Sequence, residues 1–112
     1  MPSLPTGTVT FLFTDIEGST QLWNRYHDVM LHVMARHDEL IEMAVQQQHG
    51  MVVRPRGEGD SRFAVFARPK DAVIAAAAIQ EHLYREHWTL PTRLVARIAL
   101  QDRKSTRLNS SH

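Results

Sequence analysis

The sequence predicts an α+β domain built on one sheet, with its helices packed on a single face. Three observations carry this. A short apolar, β-branched run stands near the N-terminus, and two longer stretches repeat apolar residues at helical spacing. Between those stretches lie two short strand-like runs separated by a glycine-spaced turn. The 112 residues, 43% hydrophobic and 22% charged, suffice for one small domain at most.

Val9-Thr10-Phe11-Leu12-Phe13-Thr14 is β-branched and aromatic almost throughout, which predicts a central strand buried on both faces, with Asp15 at its C-terminal end. The turn Ile16-Glu17-Gly18-Ser19-Thr20 leads into a helical stretch for which Ser19 and Thr20 are natural caps. From Asp28, the residues Val29, Val33, Leu40, Ile41, Ala44 and Val45 mark one face of a long amphipathic helix over 28–49, closed by Gly50.

Residues 51–53 and 62–66 read as two strands of a hairpin, joined through Arg56-Gly57-Glu58-Gly59-Asp60 with an acid at the tip. Pro69 suits a first helical position, and Asp71 favours the positive helix end. Ala72, Ala76, Ile79 and Leu83 give the helix over 69–84 a buried face of mostly small side chains. Residues 94–100 complete the series as a last strand. The order β-α-β-β-α-β is that of a ferredoxin-like sheet with both helices on one face.

From Asp102 the chain loses apolar periodicity and resembles the conceptual translation of a sequencing-library adapter. The expected organisation is a partial domain over 1–101 and a non-native tail over 102–112 that makes no persistent contacts, the natural protein continuing beyond Gln101.

The net charge of +1 owes three of its thirteen basic residues to that tail; the remainder holds ten basic against eleven acidic residues. No basic stripe of the kind nucleic-acid binders carry is present, so nucleic-acid binding through this domain is disfavoured. Without cysteine, disulfide frameworks and thiolate metal sites are excluded. The N-terminal apolar run is too short for a signal sequence or a bilayer span, so a cytoplasmic address with no membrane partner is expected.

Two acids stand out by position. Asp15 ends the first strand and Asp60 sits at the hairpin turn, so strands adjacent in one sheet would project both carboxylates from the same edge. Hard oxygen donors so placed suit Mg²⁺ or Mn²⁺. Between Asp15 and the helix, successive backbone N–H groups at a helix N-terminus favour phosphate. Taken singly, a strand-end Asp followed by Gly and Ser is ordinary turn and cap chemistry.

In combination, Phe13-Thr14-Asp15-Ile16-Glu17-Gly18-Ser19-Thr20, then Gly57-Glu58-Gly59-Asp60, Phe63-Ala64-Val65-Phe66 and the Pro69, Asp71-Ala72 helix start resemble the class III adenylate/guanylate cyclases. The likeness runs from Thr8 to about Leu100 and is nearest to bacterial members whose cyclase domain lies at the N-terminus of a longer regulatory protein. The resemblance implies that Asp15 and Asp60 hold two Mg²⁺ or Mn²⁺ ions, with the backbone carbonyl of Ile16 as a further ligand. It implies that amides around Glu17, Gly18, Ser19 and Thr20 cradle the triphosphate of ATP, or of GTP. Arg56 stands where many members have a purine-reading lysine, a substitution that leaves base choice open because a planar guanidinium is not a point-charge donor. The intact parent is expected to act as a homodimer with sites at its interface. The family's second purine-contacting acid and its transition-state asparagine and arginine follow the last matched strand and do not occur in this sequence, so the fragment itself is expected to be inactive.

The remaining conspicuous side chains receive structural readings. His32, His37, His82 and His87 recur at spacings of five, not the three or four that pair metal ligands on a helix face. Met30, Met34 and Met43 read as core filler, Trp23 and Tyr26 as anchors for the first helical turns, and Arg62 as an exposed strand charge. A second function class is a non-catalytic nucleotide-sensing or dimerisation module that has kept the fold. A third is an unrelated ferredoxin-like binding domain with accidental acids.

Overall fold

The computed structural model describes residues 7–53 and 61–104. In chain order the elements are β1 (Thr8–Ile16), α1 (Ser19–Arg25), α2 (His27–Gln47), β2 (Met51–Val53), β3 (Arg62–Phe66), α3 (Pro69–Arg85) and β4 (Ala96–Lys104). The strands form one sheet of order β2-β3-β1-β4 in which every adjacent pair is antiparallel. This is the expected ferredoxin-like arrangement, with β1 and β3 at its centre.

Strand pairing decides which residues share a face. Leu12 stands opposite Ala64 on one side and Leu100 on the other, and Thr14 opposite Arg62 and Ile98. Side chains alternate along a strand, so Thr10, Leu12, Thr14 and Ile16 point one way and Phe11, Phe13 and Asp15 the other. The first face is the buried one. Leu12, Ala64 and Phe66 join Leu40, Ile41, Ala44 and Val45 of α2 and Ala72, Ala75, Ile79 and Leu83 of α3 in one core cluster. Both helices therefore cover the same face, as expected.

The opposite face is open, which corrects the expectation that β1 is buried on both sides. Phe13 is 40% exposed, and its ring stacks on Phe63 at 5.0 Å between centroids, with Phe11 5.2 Å from Phe63. An antiparallel sheet with one layer of helices leaves its second face to solvent, and aromatic β propensity does not distinguish the two sides.

The helix ends also differ from expectation. Gly18, in the left-handed region at φ 68°, is the N-cap of α1; Ser19 and Thr20 lie inside the first turn and do not cap it. The helical stretch breaks at Tyr26, where φ −130° and ψ 45° turn α1 into α2. At the far end of α2 the left-handed residue is His49, at φ 64°, not Gly50. Gly50 is required for another reason: a Cβ there would come within 2.4 Å of the buried Phe66 ring.

Trp23, Tyr26 and Val29 pack on a second cluster that includes Ile16, Leu22, Met30, Val33, Met34 and Leu94, tying α1 and the start of α2 to the end of β1. Met43, in contrast, is exposed. β4 continues three residues past Gln101, pairing Asp102 with Thr10 and Arg103 with Val9, and the Thr10 hydroxyl donates to Asp102 at 2.7 Å. The expectation that residues from Asp102 onward make no contacts is thus corrected for 102–104: an open edge of β1 supplies backbone partners irrespective of the side chains offered. Among the described residues, no helix is long and apolar enough to cross a membrane.

Candidate active site

Asp15 is the penultimate residue of β1 and lies on the open face, because its neighbours Thr14 and Ile16 point under the helices. Its cross-strand partner is Arg97 of β4. The guanidinium takes both carboxylate oxygens, Nε to Oδ1 and Nη2 to Oδ2, each at 3.0 Å. That fork-to-fork contact raises the Arg97 pKa, first through the hydrogen bond to Asp15 and then through its charge, with Glu17 adding a smaller electrostatic contribution. The pair is solvent-accessible, Asp15 being 40% and Arg97 63% exposed at the side chain, so its contribution to stability is small.

Beyond Ile16 the chain turns sharply. The Glu17 amide donates to the Val95 carbonyl at 2.8 Å, docking the turn on the segment that enters β4. Of the amides expected to face phosphate, that of Glu17 is therefore engaged elsewhere. Ser19 and Thr20 open α1, where the first N–H groups have no partner within the helix.

Two adjoining depressions meet at this corner. One, of about 410 Å³, is lined by Asp15, Ile16, Gly18, Ser19, Thr20, Gln21, Ser61 and Arg97. The other, of about 470 Å³ and mostly apolar, runs over the open face past Phe13, Phe63 and Ala99. Asp15, Ser61 and Arg97 belong to both. The strand end, the turn through Gly18 and the start of β3 thus converge at one end of the sheet. Asp60 and Arg56 lie outside the described residues, and among the described residues no three His, Asp or Glu side chains gather as a metal-binding group.

Asp15 offers an accessible carboxylate, the hard oxygen donor that a divalent cation takes, with Arg97 holding both of its oxygens.

Two features escaped the sequence reading. Arg97 was absorbed into an apolar strand, although a lone arginine between Ala96 and Ile98 was the available signal. The second is a polar cluster beneath the sheet. Arg62 points to the helix face and grips Asp38 of α2, Nε to Oδ1 at 2.8 Å and Nη2 to Oδ2 at 2.9 Å, which corrects its reading as an exposed charge.

His37, fully buried, sits with Nδ1 3.0 Å from Asp38 Oδ1. Burial pushes the Asp38 carboxyl up, but hydrogen bonds from His37 and Arg62 outweigh it and hold the pKa below its ordinary value. An ionised carboxylate only accepts, so Nδ1 carries the proton, and Nε2 has no partner among the described residues. The sequence signal was the position of His37 four residues after Val33, on the apolar stripe of α2.

No family model matches the chain. It is 40% identical over 76 residues to an uncharacterised protein of Mycobacterium tuberculosis, covering 68% of this chain and 27% of that protein. It is 37% identical over 87 residues to a receptor-type adenylate cyclase of Trypanosoma brucei brucei, covering 78% of this chain and 7% of the relative. A solved adenylate cyclase from Trypanosoma brucei, in its monomeric state, superposes with a TM-score of 0.78 at 26% identity, over 90% of this chain and 58% of that one. The chain spans about a quarter of the mycobacterial protein and under a tenth of the trypanosomal cyclase.

The fold is that of the class III nucleotidyl cyclase catalytic domains. Curated adenylate cyclases and solved adenylyl and guanylyl cyclase domains stand among the relatives, and they support reading the chain as a fragment of such a domain.

Proposed function

We propose that this chain is the N-terminal part of a cyclase domain that converts ATP to cyclic AMP and pyrophosphate in a cytoplasmic signalling protein. The observation that carries the proposal is the convergence of Asp15, the turn through Gly18 and Arg97 on one depression. The adenylate cyclases among the relatives support the reading of ATP as the substrate.

In this reading Asp15, the Ile16 carbonyl and Asp60 hold two Mg²⁺ or Mn²⁺ ions, which when bound activate the ribose 3′-hydroxyl and neutralise the triphosphate. Amides at Gly18, Ser19 and Thr20 receive phosphate oxygens, and Arg97 is placed to pair with them. The 3′-oxygen forms its bond to the α-phosphorus while the bond from α-phosphorus to the bridging oxygen breaks. Pyrophosphate leaves and the hydroxyl proton passes to solvent. Arg56 serves the purine of the partner's site in a homodimer. The transition-state asparagine and arginine follow the last matched strand in the family, and this sequence does not contain them, so the isolated chain binds without turning over.

The Asp15–Arg97 ion pair favours a second reading, a non-catalytic nucleotide-sensing or dimerisation module, since a carboxylate neutralised within the protein needs no metal. Mn²⁺-dependent binding of a fluorescent ATP analogue separates the two. Loss of binding in both Asp15→Asn and Asp60→Asn supports the cyclase reading, and binding equal to that of the unmodified chain sinks it.

A further inference from the structure

Most arginines among the described residues hold a carboxylate: Arg36, Arg62, Arg68, Arg85 and Arg97 each have one. Arg25 and Arg93 have none among the described residues, yet the fold brings both to one depression of about 460 Å³. It lies between the last turn of α1, the break at Tyr26 and the segment that enters β4. The guanidinium carbon of Arg93 sits over the Tyr84 ring, 4.5 Å from its centroid. That contact steadies the group through its face and leaves the N–H donors to other partners.

Leu22, Tyr26 and Val95 line the same depression, and Val95 is 42% exposed, so apolar surface stands uncovered beside the two charges. Glu17 is the acid on this wall, and its charge also acts on Arg97, which lies outside the depression. A guanidinium keeps its charge and holds a carboxylate or phosphate through paired N–H donors. Two such groups beside apolar surface suit a ligand with two anionic groups on an apolar body, and the volume falls in the range of small-molecule sites.

We propose that this depression is a second ligand site that takes a small organic dianion, one anionic group held by Arg25 and the other by Arg93. Neither Asp15 nor Arg97 lines it, so the site stands independently of the cyclase reading.

The test titrates the isotope-labelled 112-residue chain with isophthalate, a benzene ring carrying two carboxylates, and follows the backbone amide chemical shifts. Benzoate, with one carboxylate, and the neutral diamide of isophthalic acid are the comparison probes. Isophthalate is expected to give saturable shifts at Leu22, Tyr26, Arg93 and Val95, benzoate weaker binding and the diamide none. R25Q and R93Q each weaken isophthalate binding about two- to fivefold, the range that exposed charge pairs support. R25K and R93K, which keep the charge without the fork, fall between. R68Q, which removes the same charge from an exposed arginine outside the depression, leaves binding unchanged.

Both Arg25 and Arg93 are exposed, so their substitution spares the core, and unmoved shifts at Leu12 and Phe66 check that the fold is intact. Absence of saturable shifts in the depression overturns the site. Binding by R25Q and R93Q equal to that of the parent, or shifts centred instead on Ser19 and Thr20, does the same. Equal weakening in R68Q shows a response to overall charge and overturns it too, and a diamide that binds like isophthalate overturns the dianion as its ligand.

Discussion

Arg62 of β3 and Asp38 of α2, 24 residues apart in sequence, form a two-point ion pair beneath the sheet, with His37 donating to the same carboxylate. The pair ties β3 to the long helix. Only 19% of the Arg62 side chain and 32% of Asp38 are exposed, so removing either partner strands a poorly solvated charge. Asp38→Ala or Arg62→Ala should each cost about 1.5–3 kcal/mol, below the range for fully buried pairs. Urea unfolding of both singles and the double checks this, the double costing less than the two singles added together.

The same carboxylate sets a pH dependence. Its folded-state pKa lies below the ordinary 3.8, so its contribution is fully present above that value and is lost as pH falls through the lowered folded value. Comparing unfolding midpoints of the parent and Asp38→Asn from pH 6 to pH 2 should show a shallower acid loss in the variant. Parallel curves would contradict the assignment.

Gly50→Ala should destabilise by about 1–3 kcal/mol, because the added methyl meets the ring of the fully buried Phe66 and one of the two must shift. Relief of the loss by Phe66→Leu in the double variant would show that contact with the ring is the cause.

Thr14 carries a buried hydroxyl on the helix face of β1 that has no hydrogen-bond partner among the described residues. Thr14→Val keeps the shape, suits the strand and removes that group, so it should leave stability unchanged or raise it by about 1 kcal/mol. A loss above about 1 kcal/mol in thermal unfolding would mean that the hydroxyl is satisfied.

Incubated with Mn²⁺ and ATP, the chain should form no cyclic AMP above background. Loss of one preorganised transition-state donor costs about 10²–10³ in rate, and the proposed reading assigns more than one such donor to positions after the last matched strand. Turnover at a cyclase-like rate, measured by chromatography of the products, would place the catalytic groups elsewhere.

Local chemistry determined much of the architecture. Apolar spacing in α2 and α3, β-branched runs in the strands and Pro69 at a helix start each bias the nearby backbone strongly enough to be read from residues within a few positions of one another. The strand-end Asp15 and the turn through Gly18 were legible for the same reason. Turn details were not: whether Gly18 or Ser19 caps α1, and whether His49 or Gly50 turns left-handed, depends on packing that propensity does not record.

What only the tertiary structure decided is the pairing of residues far apart in the chain. Asp15 meets Arg97 across 82 positions because β1 and β4 pair in one register, and a one-residue slip would send the two side chains to opposite faces. Arg62 finds Asp38 because β3 presents that position to the helix layer, while its neighbour Phe63 faces the open side. Residue types name which charges exist. The sheet register and the single-sided helix layer decide which charges touch, which lie beneath the helices and which stand exposed on the open face.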